Sequence, residues 1–334
     1  KIIGQVFANS DETISITGPS DNITIDPTGV AGSGVLTLSP GTGKNVDFQP
    51  GANVSVVSGG GNSGSLVIKN ANNVVMDPTA TVVVDGSVDI GHGGAGGVAD
   101  SVTGDITLSN ITLDSNGDGD GTNPVGLFVK ATGNVILAGA IDANADPDGT
   151  KTANDVTIVA GGTITNNSGS VVAIDEVDSL TLTTGSGIGI LGTPLTVNAN
   201  TITATSSGNG NIYLSNTPNV MALKAADDIV TISGLSTPNG AISYKQQGKD
   251  LSIGGTGIST GNGNILIDPP VNLTVDADIN AGTGNITVQA TNNVTINEGD
   301  LITNGGTILV QADSDASGGG NLVFNDSTGL AADS

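Results

Sequence analysis

Between Gly263 and Gln311 apolar and polar residues alternate in short runs. Written as strands they read N-I-L-I, N-L-T-V and D-I-N, then N-I-T-V, N-V-T-I and D-L-I-T, then T-I-L-V. Alternation with a period of two marks a strand with one face buried. Equivalent positions recur at a nearly fixed distance. Ile265, Ile286 and Ile308 form one such series, Leu273 and Val294 a second, and Ile279 and Leu301 a third. Three short strands, each introduced by Asn, Asp or Thr, therefore repeat with a period of about 21–22 residues.

The same phrase appears less regularly elsewhere. Gly133-Asn134-Val135, Gly210-Asn211-Ile212 and Gly320-Asn321-Leu322 each open a strand, and Asn45-Val46 and Asn73-Val74 resemble the second strand of the repeat. No segment longer than ten residues carries a helical period. Strands of three residues bury little as isolated hairpins, but they build a continuous core when each coil stacks on the next. The pattern predicts an all-β chain, a right-handed parallel β-helix (a β-solenoid) of about 14 or 15 coils. Residues 1–12 read as an N-terminal arm or edge strand. Residues 13–334 read as one continuous solenoid with corner insertions near 58–64, 91–100, 114–123 and 142–155. An array of immunoglobulin-like sandwiches would need longer strands and a Trp-centred core, and the chain has no Trp.

Composition narrows the chemistry. The 334 residues include 52 Gly, no Cys, no Trp and 2% aromatics, which suits Gly-rich corners around a core expected to have little room for rings. The formal net charge is −24, and all eight basic residues are Lys. Without a basic patch or a stacking surface, nucleic-acid binding is not expected. A Cys-based zinc site or disulfide scaffold is impossible. No run approaches the roughly 18 apolar residues of a membrane span. The start at Lys1 reads as a processed chain or a fragment.

Two acidic segments rise above the repeat. Asp114, Asn116, Asp118 and Asp120 precede Gly121; Asp142, Asn144, Asp146 and Asp148 precede Gly149. Both spell D-x-N-x-D-x-D-G, one beginning at Asp114 and the other at Asp142. Alternating carboxylate and amide oxygens on a Gly-assisted turn suit calcium, which takes six to eight hard oxygens. The closing Glu of an EF-hand is absent, Val125 and Ala153 standing in its place, so a calcium ion would need further oxygens. If one coil separates the segments, their like charges repel and a cation relieves the strain. The alternative is a pair of solvated turns. The single His92, in a Gly run, has no partner that would make it a triad member or a zinc ligand.

Phrases such as Gly284-Asn285-Ile286-Thr287-Val288-Gln289-Ala290, and Ile308-Leu309-Val310-Gln311-Ala312-Asp313 followed by Gly318-Gly319-Gly320-Asn321, resemble the repeats of filamentous-haemagglutinin-like adhesins and related beta-strand-repeat exoproteins. The resemblance covers residues 100–334 most closely. It implies a secreted β-helical stalk or fibre at a cell surface, with a cell-surface or glycan target.

The expected function is a non-enzymatic structural solenoid that forms or extends a fibre by end-to-end stacking, with an adhesive or biofilm-matrix role. In such a head-to-tail homopolymer the apolar arm (Lys1, Ile2, Ile3, Val6, Phe7) would add to the edge strand of the next subunit. A stalk that does not polymerise is the alternative. A polysaccharide-degrading β-helix enzyme is less favoured, because sugar clefts need basic and aromatic residues that this chain nearly lacks.

Overall fold

In a computed structural model the described residues are 13–17, 23–25, 30–32, 35–40, 43–56, 65–84, 86–93, 102–113, 126–143, 154–169, 172–218, 229–268 and 270–325; of residues 13–35, only the backbone strands are described. The chain is a parallel β-helix, and no helix occurs among the described residues. It divides into two compact units, Lys1–Asp178 and Ser179–Ser334.

In the first unit three columns of strands stack in parallel. The first column holds β1 (Thr13–Thr17), β4 (Val35–Ser39), β7 (Ser65–Ile68), β10 (Val88–Ile90), β13 (Gly126–Ala131) and β16 (Asn154–Ala160). The second holds β2 (Ile23–Ile25), β5 (Val46–Phe48), β8 (Val74–Met76), β11 (Ile106–Leu108), β14 (Val135–Leu137) and β17 (Thr163–Asn166). The third holds β3 (Val30–Gly32), β6 (Asn53–Val56), β9 (Thr81–Val84), β12 (Ile111–Leu113) and β15 (Ile141–Asp142), and reaches β18 (Ile174–Thr184) at Ile174. Register puts like on like: Leu66, Val88, Leu127 and Val156 are successive partners, each fully buried. The alternate residues, such as Val67, Asp89, Phe128 and Thr157, form the outward row.

The second unit begins with long strands. One column runs β19 (Gly187–Ile188), β21 (Ile212–Asn216), β23 (Ile242–Gln246), β26 (Ile265–Asp268), β29 (Ile286–Gln289) and β32 (Ile308–Gln311). Beside it β20 (Leu195–Ser206) and β22 (Ile229–Thr237) each run across two faces. After β22 those faces separate. One carries β24 (Asp250–Ile253), β27 (Leu273–Val275), β30 (Val294–Ile296) and β33 (Leu322–Phe324). The other carries β25 (Ile258–Thr260), β28 (Ile279–Asn280) and β31 (Leu301–Ile302).

The short repeat read from the sequence holds between Leu251 and Val310, where Ile265, Ile286 and Ile308 are consecutive partners. Elsewhere turns are mostly longer; the chain travels from Val88 to Leu127 before the two pair. Among the described residues each unit has six strands in its first-described column. Corner insertions lengthen a turn without adding a strand. The core also accepts rings that the sequence reading left little room for: Phe48 and Tyr244 are fully buried.

The polar residue that introduces each strand has a specific job. In the first unit the Asn45 Oδ1 accepts from the Asn73 backbone N–H and Nδ2 at 3.1 and 3.2 Å. The Asn73 Oδ1 then accepts from Asp105 N (2.8 Å), the Asp105 Oδ1 from Asn134 N (2.7 Å), and the Asn134 Oδ1 from Thr163 N (2.9 Å). In the second unit the same ladder runs Asp250, Asn272, Asn293, Asn321. Each rung satisfies a backbone donor that the strand ladder does not reach at the corner. At a different corner of the second unit, the residue before Asn264 must be glycine for space. A Cβ at Gly263 would lie 2.0 Å from the Gly240 carbonyl oxygen, so turns with a side chain there could not stack this closely.

Candidate functional site

The sequence-derived calcium residues meet the described structure at one point. Asp142 sits on β15 in the outward row, half-buried, with Thr112 and Asp175 as its register partners on the turns either side. Asp114, Asn116, Asp118, Asp120, Asn144, Asp146 and Asp148 lie outside the described residues. Both acidic segments leave from neighbouring strands, β12 and β15. The second segment returns at Asn154, whose buried Nδ2 donates to the Ala143 carbonyl and pins the base of the loop. Asp142 and Asp175 occupy adjacent rungs, about 4.8 Å apart in a sheet, so like charges stand side by side. The Asp175 Oδ1 accepts from Glu176 N at 3.0 Å, where Glu176 takes a left-handed conformation at φ 58°. Among the described residues no three His, Cys, Asp or Glu side chains converge as a metal centre.

His92 sits at a corner after β10. Its backbone N–H, with that of Gly93, donates to the Asp89 Oδ1 at 3.0 and 3.2 Å. Its ring lies against Phe128 with centroids 5.6 Å apart, and its buried Nδ1 has no hydrogen-bond partner among the described residues. The residues 91–100 insertion otherwise lies outside the described residues, as do those at 58–64 and 114–123.

A buried polar cluster in the second unit was not anticipated. The Tyr244 hydroxyl donates to the Gln246 Oε1 at 2.5 Å. The same oxygen accepts from the Asn216 Nδ2 at 3.3 Å. Asn216 also grips Ala199 twice: its Oδ1 accepts from Ala199 N and its Nδ2 donates to Ala199 O, both at 3.0 Å. Ala199 falls in the gap of β20 between the stretch paired with β21 and the stretch paired with β22. The Asn216 amide thus substitutes for a strand partner where β20 turns from one face to the next. Burial pushes the Tyr244 phenol well above its ordinary range, partly offset by the neighbouring Asn216 amide. The signal for this cluster was parity: Ile212, Leu214 and Asn216 share one face, as do Ile242, Tyr244 and Gln246.

Several exposed apolar side chains gather on the last described turn. There β31, β32 and β33 have parallel neighbours on one side, and no described strand covers the other. Ile308 continues the row of Ile286, and Leu322 and Phe324 continue those of Val294 and Ile296. One turn back these positions are at most 4% exposed; here they are 41%, 43% and 44% exposed. Three strand edges and a slice of the core face outward together.

No family model, curated protein or solved structure matches the chain. Among the described residues no helix is long and apolar enough to cross a membrane.

Proposed function

We propose that this chain is a structural element, a β-solenoid that forms or extends a fibre at a cell exterior by stacking end to end. The observation that carries the reading is the open last described turn. Among the described residues the outer edges of β31, β32 and β33 have no strand partner; such edges template further strands, and another parallel three-sided turn would pair all three and cover Ile308, Leu322 and Phe324. The first described turn, β1, β2 and β3, is such a turn: each strand pairs with the next turn, and no described strand covers its other edge. The proposed partner is therefore a second copy, joined head to tail, a heterologous contact that propagates rather than closes.

The arm with Lys1, Ile2, Ile3, Val6 and Phe7 lies outside the described residues; in this reading it adds to an edge strand of the next subunit beside that junction. The resemblance of the repeats to secreted adhesins supports an extracellular setting, and a net charge of −24 would keep fibres apart laterally. Calcium at the two acidic segments is the proposed companion ion, supported by the register that sets Asp142 beside Asp175.

Negative-stain microscopy of the purified 334-residue chain tests the reading. Filaments are expected, and their loss on deletion of residues 1–10 is expected too. Separate particles at every concentration would reject assembly; filaments from the deleted chain would reject the role of the arm alone.

A further inference from the structure

Within the described residues four Asn–Gly steps occupy corners of the second unit: Asn209–Gly210, Asn239–Gly240, Asn262–Gly263 and Asn304–Gly305. Such steps carry latent chemistry. The glycine nitrogen attacks the asparagine Cγ, forming an N–Cγ bond as the Cγ–Nδ2 bond breaks. Ammonia leaves with the glycine amide proton, and a succinimide ring remains. Water then opens the ring at either carbonyl, giving aspartate or isoaspartate. Neither oxidant nor cofactor is consumed. The reaction needs freedom for the glycine peptide to swing toward its neighbour's side chain.

Three of the four steps lack that freedom. An ideal Cβ on Gly210 would sit 1.8 Å from the Ser186 carbonyl oxygen, on Gly240 2.1 Å from that of Gly210, and on Gly263 2.0 Å from that of Gly240. These glycines are pressed against the preceding turn. The N–H groups of Gly240 and Gly263 are also tied to the Thr237 and Thr260 hydroxyls, each at 3.2 Å. The asparagine side chains are tied as well: the Asn239 Nδ2 donates to the Asn209 Oδ1 at 2.8 Å, the Asn262 Nδ2 donates to the Asn239 Oδ1, and the Asn262 Oδ1 accepts from Thr283.

Asn304–Gly305 differs on each count. Gly305 has left-handed φ (+93°) and nothing within 4 Å of its Cβ direction. Both residues are exposed, and the Asn304 side chain makes no hydrogen bond among the described residues. The corner here is one residue out of step. The Thr303 hydroxyl caps Gly306 N at 3.1 Å instead, leaving Gly305 outside the cap.

We propose that Asn304 is a self-modification site, the one described Asn–Gly step that the fold leaves free to cyclise, and that its conversion marks the last described turn with a new carboxylate or an isoaspartyl link. The consequence is local and specific. An isoaspartyl link adds a methylene to the main chain between two anchors: Thr303, whose hydroxyl donates to the Gly284 oxygen at 2.6 Å, and Thr307, whose N–H donates to the Asn285 Oδ1 at 2.8 Å. The longer link shifts the register of Ile308 on Ile286. The inference stands whether or not the chain stacks end to end.

The test ages the full chain at neutral and mildly alkaline pH, then digests it and resolves Asn, Asp and isoaspartyl peptides by mass spectrometry. In the native protein Asn304 should convert at least about tenfold faster than Asn209, Asn239 or Asn262, because each of those must first open a packed turn. A parallel arm in strong urea should bring the four rates together. Equal native rates, or another of the three outrunning Asn304, would overturn the proposal. So would a gap that persists in urea, since local sequence rather than the fold would then set it.

Discussion

Asn216 is where the second unit should be most sensitive to a single substitution. Replacing it with Ala removes three hydrogen bonds: two to the Ala199 backbone at 3.0 Å and one to the Gln246 Oε1 at 3.3 Å. A net hydrogen bond is worth only about 1 kcal/mol, but an orphaned buried group costs about 1–3 kcal/mol. Asn216 is fully buried, and Asn216→Ala orphans both the N–H and the C=O of Ala199. The expected loss is therefore about 3–5 kcal/mol. Asn239→Ala is the control: its side chain is exposed, donating to Asn209 at 2.8 Å and accepting from Asn262, contacts worth less than about 1 kcal/mol each at a surface. Urea unfolding gives the global number, and hydrogen exchange reads the Ala199 amide directly. That amide should lose its protection in Asn216→Ala and keep it in Asn239→Ala. A midpoint unchanged by Asn216→Ala, with the Ala199 amide still protected, would refute the idea that this side chain replaces a strand.

Glycine spacing provides a second contrast. Gly263→Ala drives a Cβ to 2.0 Å from the Gly240 oxygen and should cost well over about 1 kcal/mol, whereas Gly254→Ala meets nothing within 4 Å and should be neutral or slightly stabilising by thermal melt. Tyr244 predicts an alkaline limit. Its folded pKa lies above the unfolded value near 10, so its contribution is full below that value. It is lost as pH rises further, at about 1.4 kcal/mol per pH unit. Tyr244→Phe should flatten that slope in melts above about pH 10, and an unchanged slope would count against a buried neutral phenol. For calcium, chelator should lower the melting midpoint and added calcium restore it; identical midpoints would remove the structural-ion proposal.

The fold was legible because a parallel β-helix repeats the same local decision many times. Period-two alternation placed Ile265, Leu273 and Ile279 inward, and the register bears this out, stacking Ile286, Val294 and Leu301 directly on them. The Asn and Asp before each strand were visible as a pattern, while their role as cross-turn acceptors needed the stacking. The Thr that stands shortly before the glycine at a corner escaped notice. Thr237 and Thr260 each accept from that glycine's N–H and donate to the glycine carbonyl one turn back. That second bond joins residues a whole turn apart, so no local window contains it. The exposure of the last described turn was not legible in the sequence. Ile308 and Ile286 look alike in the sequence, and they differ only in what lies above them.

Sedimentation of the intact chain across a range of concentrations tests the central claim most directly, with Leu322→Asp/Phe324→Asp as the comparison. Both side chains are exposed on the open turn, at 43% and 44%, and covering each should return about 1 kcal/mol. The wild-type weight-average mass should climb above 32.5 kDa with concentration, more steeply in moderate salt as the net charge of −24 is screened. The double variant should keep its circular dichroism and stay at the single-chain mass. A wild-type chain that holds the single-chain mass at every concentration, or a variant that associates equally well, would contradict end-to-end stacking through this face.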